Sequence, residues 1–283
     1  MNHLPAYAKI NIGLRILYKR EDGYHELETV FHRINVFDVL SFETDNKLLF
    51  SSSDATLPAG ESNLCMKAAF LLQERFGVKQ GAKIKLEKNI PIGAGLGGGS
   101  SDAATTLLGL NQLWNLELTV DELAPLAISL GSDVPYFLKE GSAHATGRGE
   151  QLSYFRLDVP YWIVLVYPNI HVSTVWAYRQ FNIKEAKTKS NLFETITQKM
   201  GTISELHRVI QNDFEDVVFP EYSVIAEVKK RLLEFGSVFS QMSGSGSSVY
   251  GFFDNEAAAK NAIDIMGKEF RLFLTPPNFQ ATT

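Results

Sequence analysis

A single cysteine, Cys65, stands in 283 residues. One thiol makes no internal disulfide, which fits a reducing compartment, and Cys65 itself reads as a buried filler on a helix. Long apolar runs are also missing. No stretch approaches ~18 consecutive apolar residues, so no membrane-spanning helix is expected. Excess charge of one sign is missing too: 27 Lys and Arg face 32 Asp and Glu, a net −5. That balance gives no sign of general nucleic-acid or membrane-surface binding. There are no internal repeats and no low-complexity segment. The opening residues, MNHLPAYAKINIGL, lack the charged-then-apolar layout of a secretory signal, so a cytoplasmic location is expected. What remains is an ordinary globular composition, 45% hydrophobic and 21% charged, in a chain long enough for one large or two ordinary domains.

Glycine is what the chain concentrates. Residues 91–104 read PIGAGLGGGSSDAA, with Gly93, Gly95, Gly97, Gly98 and Gly99 in the run. A strand-like segment, Lys83 to Leu86, precedes it, and an apolar helical run, Ala103 to Trp114, follows. Glycine lets the backbone take φ > 0 and lets a ligand approach the peptide plane. A helix start aims its free N–H groups and its positive dipole end at that loop. Together these features bind phosphate. No lysine follows the glycines, which excludes a Walker A loop. The dinucleotide fingerprint G-x-G-x-x-G is met literally by Gly93, Gly95 and Gly98. However, the acidic strand end it requires about 20 residues on is replaced by a helix, capped by Thr119 and Glu122 and stopped by Gly131. Asp102 would repel a phosphate on its own face, so its side chain should point away from the nucleotide. Ser100 and Ser101 are better placed for phosphate or magnesium.

Other elements follow along the chain. Tyr7 to Leu17 alternates as a strand, with Ala8, Ile10, Ile12 and Leu14 on one face and Lys9 and Asn11 on the other. By pattern alone Lys9 is a solvated strand lysine. A turn at Arg20–Gly23 leads to strand-like stretches at Tyr24–Phe31, Asn35–Phe42 and Lys47–Ser52. Ser62 or Asn63 caps a helix reaching Phe76, with Gly77 as its stop. Pro135 disfavours helix at Val134, so 132–137 reads as a loop feeding a short strand. Asp133 within it reads, by pattern alone, as a turn or cap residue. The run Tyr161–Val166 is a buried strand, with a domain boundary just before it: 1–152 and 153–283. Helices are expected at Ser173–Phe181, Thr202–Ile210, Pro220–Phe235 and Ala257–Phe270, and a charged connection at Lys184–Ser190. Strands at Val238–Met242 and Val249–Phe253 flank a second glycine–serine loop, SGSGSS at 243–248. A final short strand is expected at Leu272–Leu274.

The order of these motifs is more specific than any one of them. A lysine on the first strand, PIGAGLGGGSSDAA a third of the way along, and Met242-Ser243-Gly244-Ser245-Gly246 near the end resemble the galactose, homoserine, mevalonate and phosphomevalonate kinase family. The resemblance covers essentially the whole chain. Pro5-Ala6-Tyr7-Ala8-Lys9-Ile10-Asn11, Asp22-Gly23-Tyr24-His25 and Gly131-Ser132-Asp133-Val134-Pro135 sharpen it to a branch acting on a cytidine-diphosphate sugar alcohol in isoprenoid precursor synthesis.

The resemblance implies a two-domain α+β fold. The N-terminal domain would carry a left-handed βαβ crossover, the C-terminal domain would be ferredoxin-like, and the active site would lie in the cleft between them. It implies ATP and Mg2+ as cofactors and transfer of the γ-phosphoryl group to an alcohol. It implies Asp133 as base and Lys9 as its cationic partner. Pro91, Gly93, Ala94, Gly95, Leu96, Gly97, Gly98, Gly99, Ser100 and Ser101, with Asn63, would hold ATP, and Ser101 would be a candidate metal contact. Asn11, Tyr24, His25 and Tyr178, with Trp176 as the alternative ring, would take the substrate. Gly244, Ser245 and Gly246 would lie against its phosphates or steady the phosphate loop. Three other readings stand beside this one: a sister kinase for another small alcohol, a catalytically silent nucleotide-binding regulator, and a nicotinamide oxidoreductase. The regulator need not keep Lys9 and Asp133, and the oxidoreductase rests only on the literal fingerprint. A monomer or homodimer is expected.

Overall fold

The structure, a computed structural model, describes residues 2–181, 191–206 and 209–281. The expected connection at Lys184–Ser190 lies outside the described residues, as do positions 207 and 208 of the helix expected at Thr202–Ile210.

A long antiparallel ribbon starts the chain. β1 (Asn2–Lys19) and β2 (His25–Asp45) are joined by the Arg20–Gly23 turn. The stretches read as separate strands at Tyr24–Phe31 and Asn35–Phe42 are one strand, because β1 pairs along nearly its whole length. β3 (Leu49–Ser52) and β4 (Gly81–Glu87) are parallel neighbours connected through α1 (Leu64–Phe76), which supplies the expected βαβ unit. α1 is capped by Asn63 and ends at Gly77 in the left-handed conformation, as its sequence signals require. After β4 come the glycine loop, α2 (Gly98–Leu113) and α3 (Val120–Leu130), the latter with its Thr119–Glu122 capping box. α2 begins inside the glycines, earlier than the apolar run at Ala103 indicates. Tertiary docking overrides the poor helix propensity of glycine there.

Residues 134–138 form a 3-10 helix and not a strand. Pro135 sits in its first turn, where a missing N–H costs nothing. Two strands were not expected in the turn-rich stretch that follows, β5 (Ser142–Thr146) and β6 (Gln151–Phe155). They complete a six-stranded sheet of order β3-β4-β2-β5-β6, with β1 on β2. The division expected between residues 152 and 153 thus falls within β6, a member of this first sheet.

The second sheet contains β7 (Trp162–Tyr167), β8 (Phe239–Met242), β9 (Val249–Phe253) and β10 (Arg271–Thr275) in the order β10-β7-β9-β8, antiparallel throughout. With helices between its first and second strands and between its third and fourth, this is the ferredoxin-like arrangement. α4 (Thr174–Gln180), α5 (Leu192–Lys199), a 3-10 helix (Met200–Leu206), α6 (Glu215–Glu221) and α7 (Ser223–Glu234) fill the first crossover, and α8 (Glu256–Met266) the second. α5 was not expected. The single helix read from Pro220 is two, broken at Tyr222, whose φ of −120° and ψ of 72° are not helical.

One core joins the two sheets. Ala8, Ile10 and Ile12 of β1 pack with Ile163 and Leu165 of β7 and with Phe239, Tyr250 and Phe252. The opposite side of the first sheet is covered by helices through Leu72, Leu107, Leu110 and Leu123. With both its faces covered, β1 buries its polar residues as well as its apolar ones: Lys9 is 4% exposed and Asn11 2%.

Candidate active site

The two glycine–serine loops meet each other. Ser243 Oγ donates to Gly95 O at 2.9 Å, and Ser248 N–H donates to Ala94 O at 3.1 Å. Gly95 has φ +76°, and a Cβ there would collide with the backbone oxygen of Ser243. Glycine is needed at this point both for its conformation and for the close approach. Gly97 (φ +70°) is the second such position. It turns the chain into α2, and a Cβ would strike the Phe137 ring and the Lys9 stem. The loop between β8 and β9 is therefore small because the phosphate-loop backbone lies against it.

A cavity of about 440 Å3 opens over this junction. Pro91, Gly93, Ala94, Gly95, Leu96, Gly97, Gly98, Gly99 and Ser100 all line it, as do Asn63, Lys9, Asn11, Gly244 and Ser245. The side chains of Ala94 and Leu96 are buried in the core, so their share of the lining is backbone. Asn63 is occupied as the cap of α1: its Oδ1 accepts from Cys65 N–H at 2.8 Å and its Nδ2 donates to Pro58 O at 2.9 Å.

Two of the expected site residues are not part of this lining. Ser101 points to the other side of α2, into a separate cavity, and its N–H is already bonded to Gly97 O. The helical step of about 100° per residue separates it from Ser100. Gly246 is outside the cavity lining, but its carbonyl oxygen lies beside Gly95, where an added Cβ would come within 2.9 Å of it, so it stands against the glycine loop.

Lys9 and Asp133 come together at the inner end of the cavity. Lys9 Nζ lies 3.4 Å from Asp133 Oδ2, donates to Asn11 Oδ1 at 2.6 Å, and sits 4.8 Å above the Phe31 ring. Asn11 is held in turn by Thr29, whose Oγ1 accepts from Nδ2 at 3.0 Å. The lysine that pattern alone would solvate is thus fixed from three sides. Asp133 lies just before the 3-10 helix, its side chain 32% exposed toward the cavity.

A second cavity, of about 930 Å3, adjoins the first. Tyr24, His25 and Tyr178 line it, and Asp133, Ser100, Thr174 and Arg148 line both. His25 stacks on Tyr178 with centroids 5.1 Å apart and planes 18° from parallel. Burial and the Lys19 charge lower the His25 pKa, so its imidazole is neutral at neutral pH. Burial, helped by Asp133, raises the Tyr178 phenol, which stays protonated. Trp176 is turned away and meets Tyr222 edge-on at 5.4 Å in the second domain's core.

Sequence reasoning missed Arg148. Its guanidinium lies 4.6 Å above the Tyr24 ring, and its side chain borders both cavities. The flanking glycines in ATGRGE, both with φ > 0, mark a turn that presents it. Thr174 was missed as well; its hydroxyl is 2.8 Å from Ser245 Oγ. A third omission is a buried charge cluster behind the loop. Lys88 bonds Asp38 and, at 2.9 Å, Asp102. Asp38 also accepts from the backbone of Asn89 and Ile90. Asp102, expected to point away from the nucleotide, borders the glycine-loop cavity, with its carboxylate bonded to Lys88. Burial, reinforced by Asp38, pushes its carboxyl up to about 8. No group of three or more His, Cys, Asp or Glu that could hold a metal lies among the described residues.

A glycine-rich loop at a helix start over a cleft between two sheets, with a buried lysine facing a cavity-exposed aspartate, is the architecture of a small-molecule kinase. Residues 63–141 match the model for the GHMP kinases N terminal domain, and residues 191–272 that for GHMP kinases C terminal. The chain belongs to the GHMP kinase family. Within it, the chain is 45% identical to a Pelodictyon phaeoclathratiforme protein, covering 98% of this chain and 97% of that one. It is 47% identical to a Chlorobium limicola protein with the same coverage. Both relatives are named 4-diphosphocytidyl-2-C-methyl-D-erythritol kinase. A crystal structure of 4-(cytidine 5'-diphospho)-2C-methyl-D-erythritol kinase superposes with a TM-score of 0.83 at 34% identity, covering 97% of this chain and 98% of that one. A homoserine kinase from Cytophaga hutchinsonii shares the fold at 21% identity, with a TM-score of 0.69 over 96% of this chain and 95% of that one.

Proposed function

We propose that this chain transfers the γ-phosphoryl group of ATP to the 2-hydroxyl of 4-diphosphocytidyl-2-C-methyl-D-erythritol, a step of isoprenoid precursor synthesis. The observation that carries the mechanism is the Lys9–Asp133 pair, 3.4 Å apart, where the glycine-loop cavity meets the aromatic cavity. Phosphoryl transfer requires positioning and charge stabilisation more than covalent chemistry. The glycine-loop backbone and the start of α2 would hold the β- and γ-phosphates. Asp133 would take the hydroxyl proton, and Lys9 would stabilise the carboxylate and the charge on the moving phosphoryl group.

Tyr24 and the His25–Tyr178 stack would receive cytosine, since aromatic stacking is worth ~1–3 kcal/mol per base. Arg148 would pair with the substrate's diphosphate from its place above Tyr24. Asn11 would meet the sugar-alcohol hydroxyls. The oxygen donors of the cavity, Ser100 Oγ and Asp133, fit a Mg2+ carried mainly by the nucleotide's phosphates and not one caged by the chain. Bound there, the ion would neutralise phosphate charge. The cytoplasm would supply both ATP and substrate.

The test is ADP release by the purified protein with ATP and Mg2+, offered the cytidylated substrate, mevalonate, homoserine or galactose in turn. ADP with the cytidylated compound alone is the expected result. ADP with another alcohol would replace the substrate assignment. Binding of the cytidylated compound without ADP would favour a regulator and remove Asp133 as base.

A further inference from the structure

Behind the phosphate loop, on the opposite side of α2, lies a separate cavity of about 340 Å3. Its polar lining comes from Arg33, Ser101, Thr105 and Gln112, and its apolar lining includes Tyr7 and Phe137. Arg33 is 5% exposed, and no carboxylate among the described residues lies within ion-pair distance of it. One edge of its guanidinium is satisfied: Nη2 donates to Phe137 O at 3.0 Å and to Lys139 O at 2.8 Å. The rings of Tyr136 and Phe137 lie 5.7 and 5.9 Å from its centre. Arg33 Nε is buried without a partner, and so is the hydroxyl of Ser101, a residue only 1% exposed.

We propose that this cavity is a binding site for a small oxyanion, of the carboxylate or phosphate class, held by Arg33 Nε and Ser101 Oγ. Burying a guanidinium without a counter-charge is costly. A water molecule would satisfy one donor edge but leave the charge uncompensated. An oxyanion does both, because a charge-assisted bond from arginine is about twice as strong as a neutral one. Thr105 and Gln112 add hydroxyl and amide donors, and Gln112, exposed at the mouth, marks the entrance. The bound anion ties β2, the first turn of α2 and the 3-10 helix after Asp133 together, directly behind the phosphate loop. The site is distinct from the nucleotide cavity, which Ser101 does not line.

The probes are inorganic phosphate and acetate, each against chloride at matched ionic strength, read as thermal midpoint. A non-hydrolysable ATP analogue is held saturating so that the glycine loop is already filled. At tenfold excess over Kd the midpoint should rise by about 2–5 °C. The rise should vanish in Ser101→Ala and shrink in Arg33→Lys, each measured against its own chloride baseline. A rise with phosphate alone assigns the phosphate class, and a rise with acetate alone the carboxylate class. No rise over chloride, or a rise that Ser101→Ala leaves intact, overturns the proposal and leaves the cavity to water. None of these outcomes depends on which alcohol the enzyme phosphorylates.

Discussion

Replacing Asp133 by Asn and Lys9 by Met, singly and together, tests the centre of the mechanism. The charges are 3.4 Å apart. Coulomb's law at an effective dielectric of about 20 gives an attraction of about 5 kcal/mol. Asp133 is 32% exposed, so water screens much of that, and a measured coupling of roughly 1–3 kcal/mol is expected. Asp133→Asn preserves shape and should leave the KM values nearly unchanged while lowering kcat by about 10²–10⁴. Lys9→Met also strips Asn11 Oδ1 of its 2.6 Å donor, so its thermal midpoint should fall as well as its turnover. Because the two act as a unit, the double variant should be roughly 5–150 times more active than the product of the single losses. The assay is coupled ADP release under saturating ATP and cytidylated substrate, with circular dichroism as the folding control. Strictly multiplicative losses, or an Asp133→Asn kcat within tenfold of the parent, would refute the reasoning.

Three other variants probe the surroundings. Arg148→Ala should raise KM for the cytidylated substrate by roughly tenfold, the size of one charge-assisted contact, with a smaller effect on KM for ATP; equal effects on both would detach Arg148 from the substrate's diphosphate. Gly95→Ala forces an unfavourable φ and drives a methyl group into Ser243 O, so unfolding titration should show a loss of about 2–4 kcal/mol together with lost ATP binding; wild-type stability would mean the two loops can separate freely. For Asp102, the native carboxyl keeps its proton to about 8 while an unperturbed one releases it near 3.8. The native state therefore binds the extra proton between those values, and the group's contribution to stability falls as pH rises through that window, by at most about 1.4 kcal/mol per unit. Asp102→Asn should remove that slope, and parallel stability–pH curves for variant and parent would count against a raised pKa.

Local signals carried most of the fold. Asn63, Gly77, Thr119 and Glu122 act over one turn of helix, and each behaves as its residue type requires. β5 and β6 were lost among glycines because their strand character comes from pairing with each other and with Phe31, Val30 and Thr29 of β2, partners more than a hundred residues away. At the site, the glycine loops were legible because only glycine fits where two backbones touch. Ser101 was misplaced because sequence adjacency to Ser100 says nothing about which side of α2 faces the nucleotide. Arg148 was hidden because one arginine in a turn looks like any solvated charge until the Tyr24 ring beneath it and the two cavities it borders with Asp133 are known.

Charge counting separates the two lysines that border the nucleotide cavity. Lys88 and Lys9 both reach it; the resemblance points to Lys9 as the cation that meets the transferring phosphoryl group, and the charges around each lysine give a physical reason. Lys88 is bracketed by two buried carboxylates. Burial works against its charge, but Asp102 and Asp38 outweigh that and hold its pKa above the ordinary value. With one of those carboxylates ionised the cluster is already neutral, and drawing Lys88 toward a phosphate would strand a buried anion, at a cost of about 3–5 kcal/mol. Its work is structural: it ties the segment before the glycine loop to Asp102 near the start of the helix after it, and so fixes where the loop's N–H groups point. Among the described residues Lys9 has one carboxylate partner, Asp133, which is itself open to the cavity. In the proposed mechanism, protonation of Asp133 by the alcohol would remove that partner's charge and leave the Lys9 ammonium uncompensated. The same proton transfer that activates the nucleophile would thus make the lysine's charge available to the phosphoryl oxygens.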